Sequence, residues 1–313
     1  MNKKTNTILT KTPMVCLLAM ICCLLWGSAF PCIKIGYQLF QIHPDSIGSQ
    51  LLFAGCRFTL AGILTILIGS LLNRRFLLPA KTSWSMVAKL GLVQTVLQYI
   101  LFYIGLANTT GVKSSIIEAS NVFLAILAAT LIFKLEKLTP AKIAGCILGF
   151  AGVVIINLNG GSLDTSMSFS GEGCILLSAA AYALSSILIK RYAQKDEPVT
   201  LSGYQFLFGG VILSLIGLAA GGRVSGFTFA STALLLYLSL VSAIAYSLWG
   251  ILLKFNPVGK VAVFGFMNPV FGVILSAILL GESNQAFTLT GLAALALVCA
   301  GIYIVNRHQM KPV

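Results

Sequence analysis

Ten apolar runs, most of them long enough to cross a bilayer as a helix, follow one another with little polar sequence between them. Spanning hydrocarbon takes about 20 predominantly apolar residues. Runs near that requirement lie at 14–39, 47–72, 84–107, 112–133, 143–158, 173–192, 199–220, 233–253, 258–280 and 287–305. Turn chemistry separates them, as at His43-Pro44-Asp45, Asn73-Arg74-Arg75, Gly160-Gly161-Ser162 and Gly221-Gly222-Arg223. With 58% hydrophobic residues, 9% charged residues and a mean hydropathy of +0.95, a soluble domain is excluded. Lys3, Lys4 and Lys11 imitate the basic start of a signal peptide. The run behind them is too long for a signal core and lacks a small-residue cleavage site, so it is read as the first membrane helix.

The chain carries 21 Lys and Arg against 8 Asp and Glu. Sixteen of the cations fall on alternate connections: Lys3, Lys4, Lys11, Arg74, Arg75, Lys81, Lys134, Lys137, Lys142, Lys190, Arg191, Lys195, Lys254, Lys260, Arg307 and Lys311. The other side has Lys113 and Arg223, while Lys34, Arg57 and Lys89 lie within spans. The positive-inside rule then puts both termini in the cytoplasm of a multi-pass protein of the cell inner (plasma) membrane, which requires an even number of spans. The basic balance is thus a topology signal, and no nucleic-acid partner is expected. All eight Cys sit in apolar runs without C-x-x-C spacing or a flanking His, so neither disulfides nor a metal site is expected.

Five spans per half make the second half enter the membrane from the opposite side, so a five-plus-five repeat is an inverted one. The sequence carries such a repeat, with halves 1–160 and 161–313. Trp26 and Lys34 are matched by Tyr182 and Lys190, Arg57-Phe58 by Gln205-Phe206, and Tyr99 and Phe102 by Tyr246 and Trp249. Glu136 precedes Gly145 by the same interval that separates Glu282 from Gly291. The expected fold class is an all-α polytopic membrane protein of ten transmembrane helices.

Five segments carry a resemblance: LLWGSAFPCIKIG in the first span, CRFTLAGIL in the second, LEKLT after the fourth, YQFLFGGVIL in the seventh and NPVFGVILSAILLGE in the ninth. At these residues the chain resembles the EamA family of the drug/metabolite transporter superfamily. The resemblance implies a secondary carrier for a small organic metabolite, an amino acid or related compound, usually exported, with proton exchange as one route to coupling. Its partners would be that small-molecule substrate and membrane lipid. First halves of such proteins often carry a Pro in the fourth helix where this chain has Phe123, which puts a kink there in question, whereas Pro269 keeps it in the second half.

No catalytic constellation and no P-loop are present, and no cofactor is expected. Glu118 lies about 10 Å inside the fourth span at ~1.5 Å per residue. It shares a helical face with Ser114, Asn121 and Ala125. An acid at that depth contacts a substrate amine, couples protons, or is a structural acid paired with Arg57, Lys113 or a polar neighbour. Gln94, Gln98 and Tyr99 in the third span are either solute contacts or interhelical hydrogen bonds. Tyr182 with Ser178 and Ser185, and Tyr246 with Ser239 and Ser242, make similar stripes. Asn268-Pro269 removes a backbone donor inside a span, which suits a pathway or hinge. Arg57, with its counterpart Gln205, is read as a structural clamp that needs an acid or carbonyls, and Trp26, Glu136 and Glu282 as structural or gating positions. Gly145, Gly149 and Gly152, and Ala296 with Ala300, are small-residue stripes for close helix contact, within one chain or between two. Oligomeric state is not legible here. The other readings are a passive channel or structural subunit of a membrane complex, which lacks charge rings in support, and an integral membrane enzyme, which lacks a catalytic cluster.

Overall fold

A computed structural model describes residues 9–134, 138–156, 168–256, 261, 263–281 and 288–307. Among them the chain is helical, with no strand. It is a polytopic membrane protein whose helices we label α1 (Thr12–Leu39), α2 (Ile47–Asn73), α3 (Lys81–Ala107), α4 (Gly111–Ile132), α5 (Pro140–Ile156), α6 (Phe169–Tyr192), α7 (Pro198–Ala219), α8 (Phe229–Phe255), α9 (Met267–Leu280) and α10 (Leu289–Arg307). Seven are long and apolar enough to cross a membrane, and α5, α9 and α10 contribute shorter apolar helices. The helices start where local chemistry permits. Pro occupies the first turn of α1 and α7, where its missing N–H has no helical partner to lose, and Thr228 and Ser231 cap α8 reciprocally. Large apolar side chains such as Leu71, Leu72, Ile147, Leu215 and Ile278 point outward, where only lipid would solvate them.

The most extensive packing pairs α2 with α7 and α5 with α10. In α2, Gly48, Gly55, Gly62 and Gly69 recur every seven residues, and α7 answers with Gly203, Gly210 and Gly217. A seven-residue period keeps one face turned to a partner helix, and glycine lets the backbones touch. A Cβ on Gly62 would lie 2.5 Å from the Leu207 nitrogen and 2.8 Å from the Gly203 oxygen. The α5 stripe works as expected within one chain: Gly152 faces the Ala294 carbonyl and Val298, and Gly145 faces Gly301. The α10 assignment needs correction, because Ala296 and Ala300 are exposed while Ala294, Val298 and Gly301 face α5.

The remaining helices α1, α3, α4, α6, α8 and α9 build the middle. Their connections meet at two ends. At one, Arg75 Nη2 lies 3.3 Å from Glu197 Oε2, and the Tyr204 hydroxyl donates to the Leu77 carbonyl at 3.0 Å. This end gathers Arg74, Arg75, Lys81, Lys190, Arg191, Lys195 and Lys254, and is called the basic face below. At the opposite face the Arg223 N–H donates to Ser49 Oγ at 3.1 Å, and Phe40 meets Phe227 edge-on at 5.2 Å.

If the glycine register sets the α2–α7 contact, Gly62→Val should destabilise the protein by about 1–3 kcal/mol through overpacking. Thermal unfolding in detergent should show a lowered Tm, whereas Ile63→Val, on the lipid-facing side of the same turn, should leave it nearly unchanged.

Candidate functional site

In α3 the stretch Gly91–Leu97 widens into a π-helical turn, a form that recurs at functional sites. Thr95 donates to Gln205 Oε1 at 2.7 Å, Gln205 Nε2 donates to Gln94 Oε1 at 3.0 Å, and Gln94 Nε2 donates to Ser185 Oγ at 3.1 Å. One buried chain of amides and hydroxyls thereby ties α3, α6 and α7 together. Gln205, expected to be structural or gating, is a member of this network and lines a narrow cleft with Gln94, Tyr182, Ser186, Ser202 and Tyr246. The cleft continues past Ile189, Leu201 and Leu253 toward the basic face.

At its inner end the Tyr99 and Tyr246 hydroxyls hydrogen-bond at 2.8 Å. Phe58 packs on Tyr99 at 4.1 Å, Phe206 meets Tyr246 edge-on at 5.0 Å, and Phe58 stacks on Phe206 at 5.4 Å. Both Tyr99 with Tyr246 and Phe58 with Phe206 are counterparts in the sequence repeat, and each touches its own counterpart. Trp26 closes against Tyr246 and Trp249 at 5.3 and 5.1 Å, with its indole N–H unpartnered.

Behind the tyrosines lies Glu118, 6% exposed. The expected continuous helical stripe is interrupted there. α4 consists of Gly111–Glu118, a turn at Ala119 and Ser120, and then Asn121–Leu127. The N–H groups of Ala119 and Ser120 donate three residues back, to Ile116 and Ile117, instead of four. A tightened turn thus stands close to the position where the missing Pro put a kink in question. The Asn121 side chain lies beside the Glu118 carboxylate, whose Oε2 has no partner among the described residues. Neither proposed cation pairs with it: Lys113 lies 3.5 Å from Glu172 Oε1, and Arg57 is held elsewhere. Tyr99 and Tyr182 both lie within electrostatic reach of the carboxylate.

In the second half, a 3-10 turn at Val263–Phe266 gives way to α9 at Met267. Pro269 falls in the first turn of α9, so it begins the α-helical segment instead of bending its middle. Asn268 carries an unpartnered Oδ1 and sits by Cys23 of α1. Asn121 and Asn268 are 147 residues apart, the same separation as Tyr99 and Tyr246, and each follows a break in its span. This correspondence was available in the sequence and missed. Gln98, one turn on from Gln94, keeps an Oε1 with no partner among the described residues. Glu136 and Glu282 lie outside the described residues.

Arg57, 2% exposed, makes three contacts. Nε donates to the Leu238 carbonyl at 3.1 Å, Nη1 to the Tyr103 hydroxyl at 2.9 Å and Nη2 to Ser242 Oγ at 3.0 Å. These neutral groups link α2 to α3 and α8 through Arg57. Around it, toward the opposite face, Tyr37, Phe40, Phe53 and Tyr103 form a closed aromatic cluster. Among the described residues, buried polar atoms without partners fall on α1, α2, α3, α4, α6, α8 and α9, and none on α5, α7 or α10. Leaving such a group bare costs about 1–3 kcal/mol, which favours an interior that is wet or ligand-filled between the central helices.

The model of the EamA-like transporter family matches residues 13–158 and again 169–307. An uncharacterized transporter of Archaeoglobus fulgidus is 30% identical over 99% of this chain and 99% of its own length. The protein named Probable amino-acid metabolite efflux pump of Salmonella typhimurium is 29% identical, covering 92% of this chain and 93% of its own. The Probable terminal-alkyne amino-acid exporter of Streptantibioticus cattleyicolor is 27% identical over 91% of each. A crystal structure with 18% identity matches with a TM-score of 0.66 over 95% of this chain and 99% of its own, a likeness of fold.

The tyrosine pair should behave as one unit. Tyr99→Phe or Tyr246→Phe alone strands the other hydroxyl and should cost about 1–2 kcal/mol. The double variant should lose less than the sum, and the cycle can be read from thermal unfolding in detergent.

Proposed function

The chain belongs to the EamA-like transporter family, and we propose that it is a secondary carrier that exports a small amino-acid-like metabolite by opening one central site to each side in turn. The observation that carries this reading is a narrow polar cleft between the central helices with packed aromatic rings beyond it. A cleft lined by Gln94, Tyr182, Gln205 and Tyr246 runs toward the basic face, while packed aromatic rings close the way to the opposite face. By the positive-inside rule the basic face is cytoplasmic, with both termini there, and the cleft faces inward. The protein sits in the cell inner membrane.

Two inverted repeats, 1–160 and 161–313, account for the double family match and for residues that meet their own counterparts. Residues near an axis relating two halves are the ones that touch in this way. Glu118 is the group that receives the substrate ammonium or the coupling proton. It is ionisable, deep in a span and free at Oε2, and the α4 break lets its surroundings shift. Asn121, Asn268, Tyr99 and Tyr182 complete the polar wall around it. Two relatives named for the handling of amino acids support this substrate class.

Cells that overproduce the protein should resist toxic amino-acid analogues, and Glu118→Gln should remove the protection. Losing a charge-assisted hydrogen bond of about 1.5–3 kcal/mol corresponds to a weakening of roughly tenfold to a hundredfold. Membrane-fraction blots establish that the variant is inserted. A variant that is present and protects as well as the wild type overturns the assignment.

A further inference from the structure

Each residue of the open cleft has a counterpart in the other half of the chain. At separations of 148 residues for α7 and α2, 147 for α8 and α3, and 156 for α6 and α1, Leu201, Gln205, Gly250, Leu253, Ser186 and Ile189 correspond to Phe53, Arg57, Tyr103, Leu106, Phe30 and Ile33. These six counterparts are all at most 3% exposed. The five apolar ones belong to a single packed cluster, with Arg57 in its midst and Phe53 and Tyr103 6.2 Å apart edge-on. Six residues that line the cleft toward the basic face are thus matched by six that pack closed toward the opposite face.

Arg57 differs from its counterpart in charge, since the open cleft has the neutral Gln205 at that position. Its guanidinium is buried against a carbonyl and two hydroxyls, with no acid paired to it among the described residues. A buried charge without an opposite charge is costly, and a guanidinium presents a planar fork suited to a carboxylate. Its partners sit on α3 and α8, the helices whose counterparts flank the open cleft.

We infer that the aromatic cluster around Arg57 is the closed outward cleft, and that Arg57 is the residue in it that binds the carboxylate of the transported solute once α3 and α8 part. This rests on the carrier reading above.

Intact cells producing Ala54→Cys, which lies three residues before Arg57 and corresponds to Ser202 of the open cleft, are treated with a membrane-impermeant thiol reagent. Modification is located by peptide mass spectrometry, and the twenty L-amino acids and their amides are added outside as protectants. The inference expects external modification of the introduced thiol, protection by at least one amino acid, and protection by its amide weaker by about tenfold or more. In Ala54→Cys/Arg57→Gln the acid should lose that advantage while the amide is unaffected, and Arg57→Lys should restore part of it. A purely structural Arg57 would weaken acid and amide protection equally. No external modification of the introduced thiol, no protection by any amino acid, or an acid-over-amide preference that survives Arg57→Gln each overturns the inference. The carrier reading fails separately, if the unsubstituted chain gives no resistance to toxic amino-acid analogues.

Discussion

Hydrocarbon offers no hydrogen bonds, so every polar group carried into it has to find a partner on another helix or face a wet interior. That constraint sorts the side chains of this protein. Isoleucine and leucine cover the outside, glycines at seven-residue intervals let α2 and α7 touch backbone to backbone, and the amides, hydroxyls and two charges collect between the central helices. An acid such as Glu118 costs roughly 2.5–3.5 kcal/mol at the centre of a spanning helix. It is sustained here beside Asn121, at a turn whose tightened backbone departs from the regular ladder.

The interior polar groups divide into satisfied and unsatisfied sets. Gln94, Thr95, Ser185 and Gln205 satisfy one another and fix three helices in one arrangement. By contrast, Glu118, Gln98, Asn268 and Trp26 each keep an atom without a partner among the described residues. A rigid network beside an unfinished one suits a carrier, which holds its scaffold while leaving hydrogen-bonding capacity for a solute. The Tyr99–Tyr246 contact joins α3 to α8 beside the cleft, and Tyr99 lies within electrostatic reach of Glu118.

Much of this was legible in the sequence because lipid makes helix length and apolarity nearly sufficient signals. Helices lie where the apolar runs do, although α8 extends to Phe229 and Phe255 beyond its run and α9 begins only at Met267, nine residues into its run. The pairing of Tyr99 with Tyr246 was foreshadowed by their repeat separation. Three features escaped. The α4 break has no Pro to announce it and depends on tertiary surroundings of Ala119 and Ser120. The π turn that aims Gln94 and Thr95 at Gln205 has no one-residue signature. Arg57 was read as needing an acid or carbonyls, and that it meets one carbonyl and two hydroxyls depends on where α3 and α8 pass. The glycine period in α2 and α7 and the Asn121–Asn268 correspondence were both in the sequence, but neither shows until the repeat offset is applied residue by residue.

The central claim is that opening at one face accompanies closure at the other. Spin labels at Lys89 and Lys254, exposed near the cleft mouth, and in a second sample at Asn108 and Ser225 on the opposite face, report both ends by double electron–electron resonance. With the full chain in lipid nanodiscs, adding an amino acid whose toxic analogue the overproduced protein protects against should shorten one distance distribution while lengthening the other. Two distributions that stay fixed, or that widen together, would contradict the account.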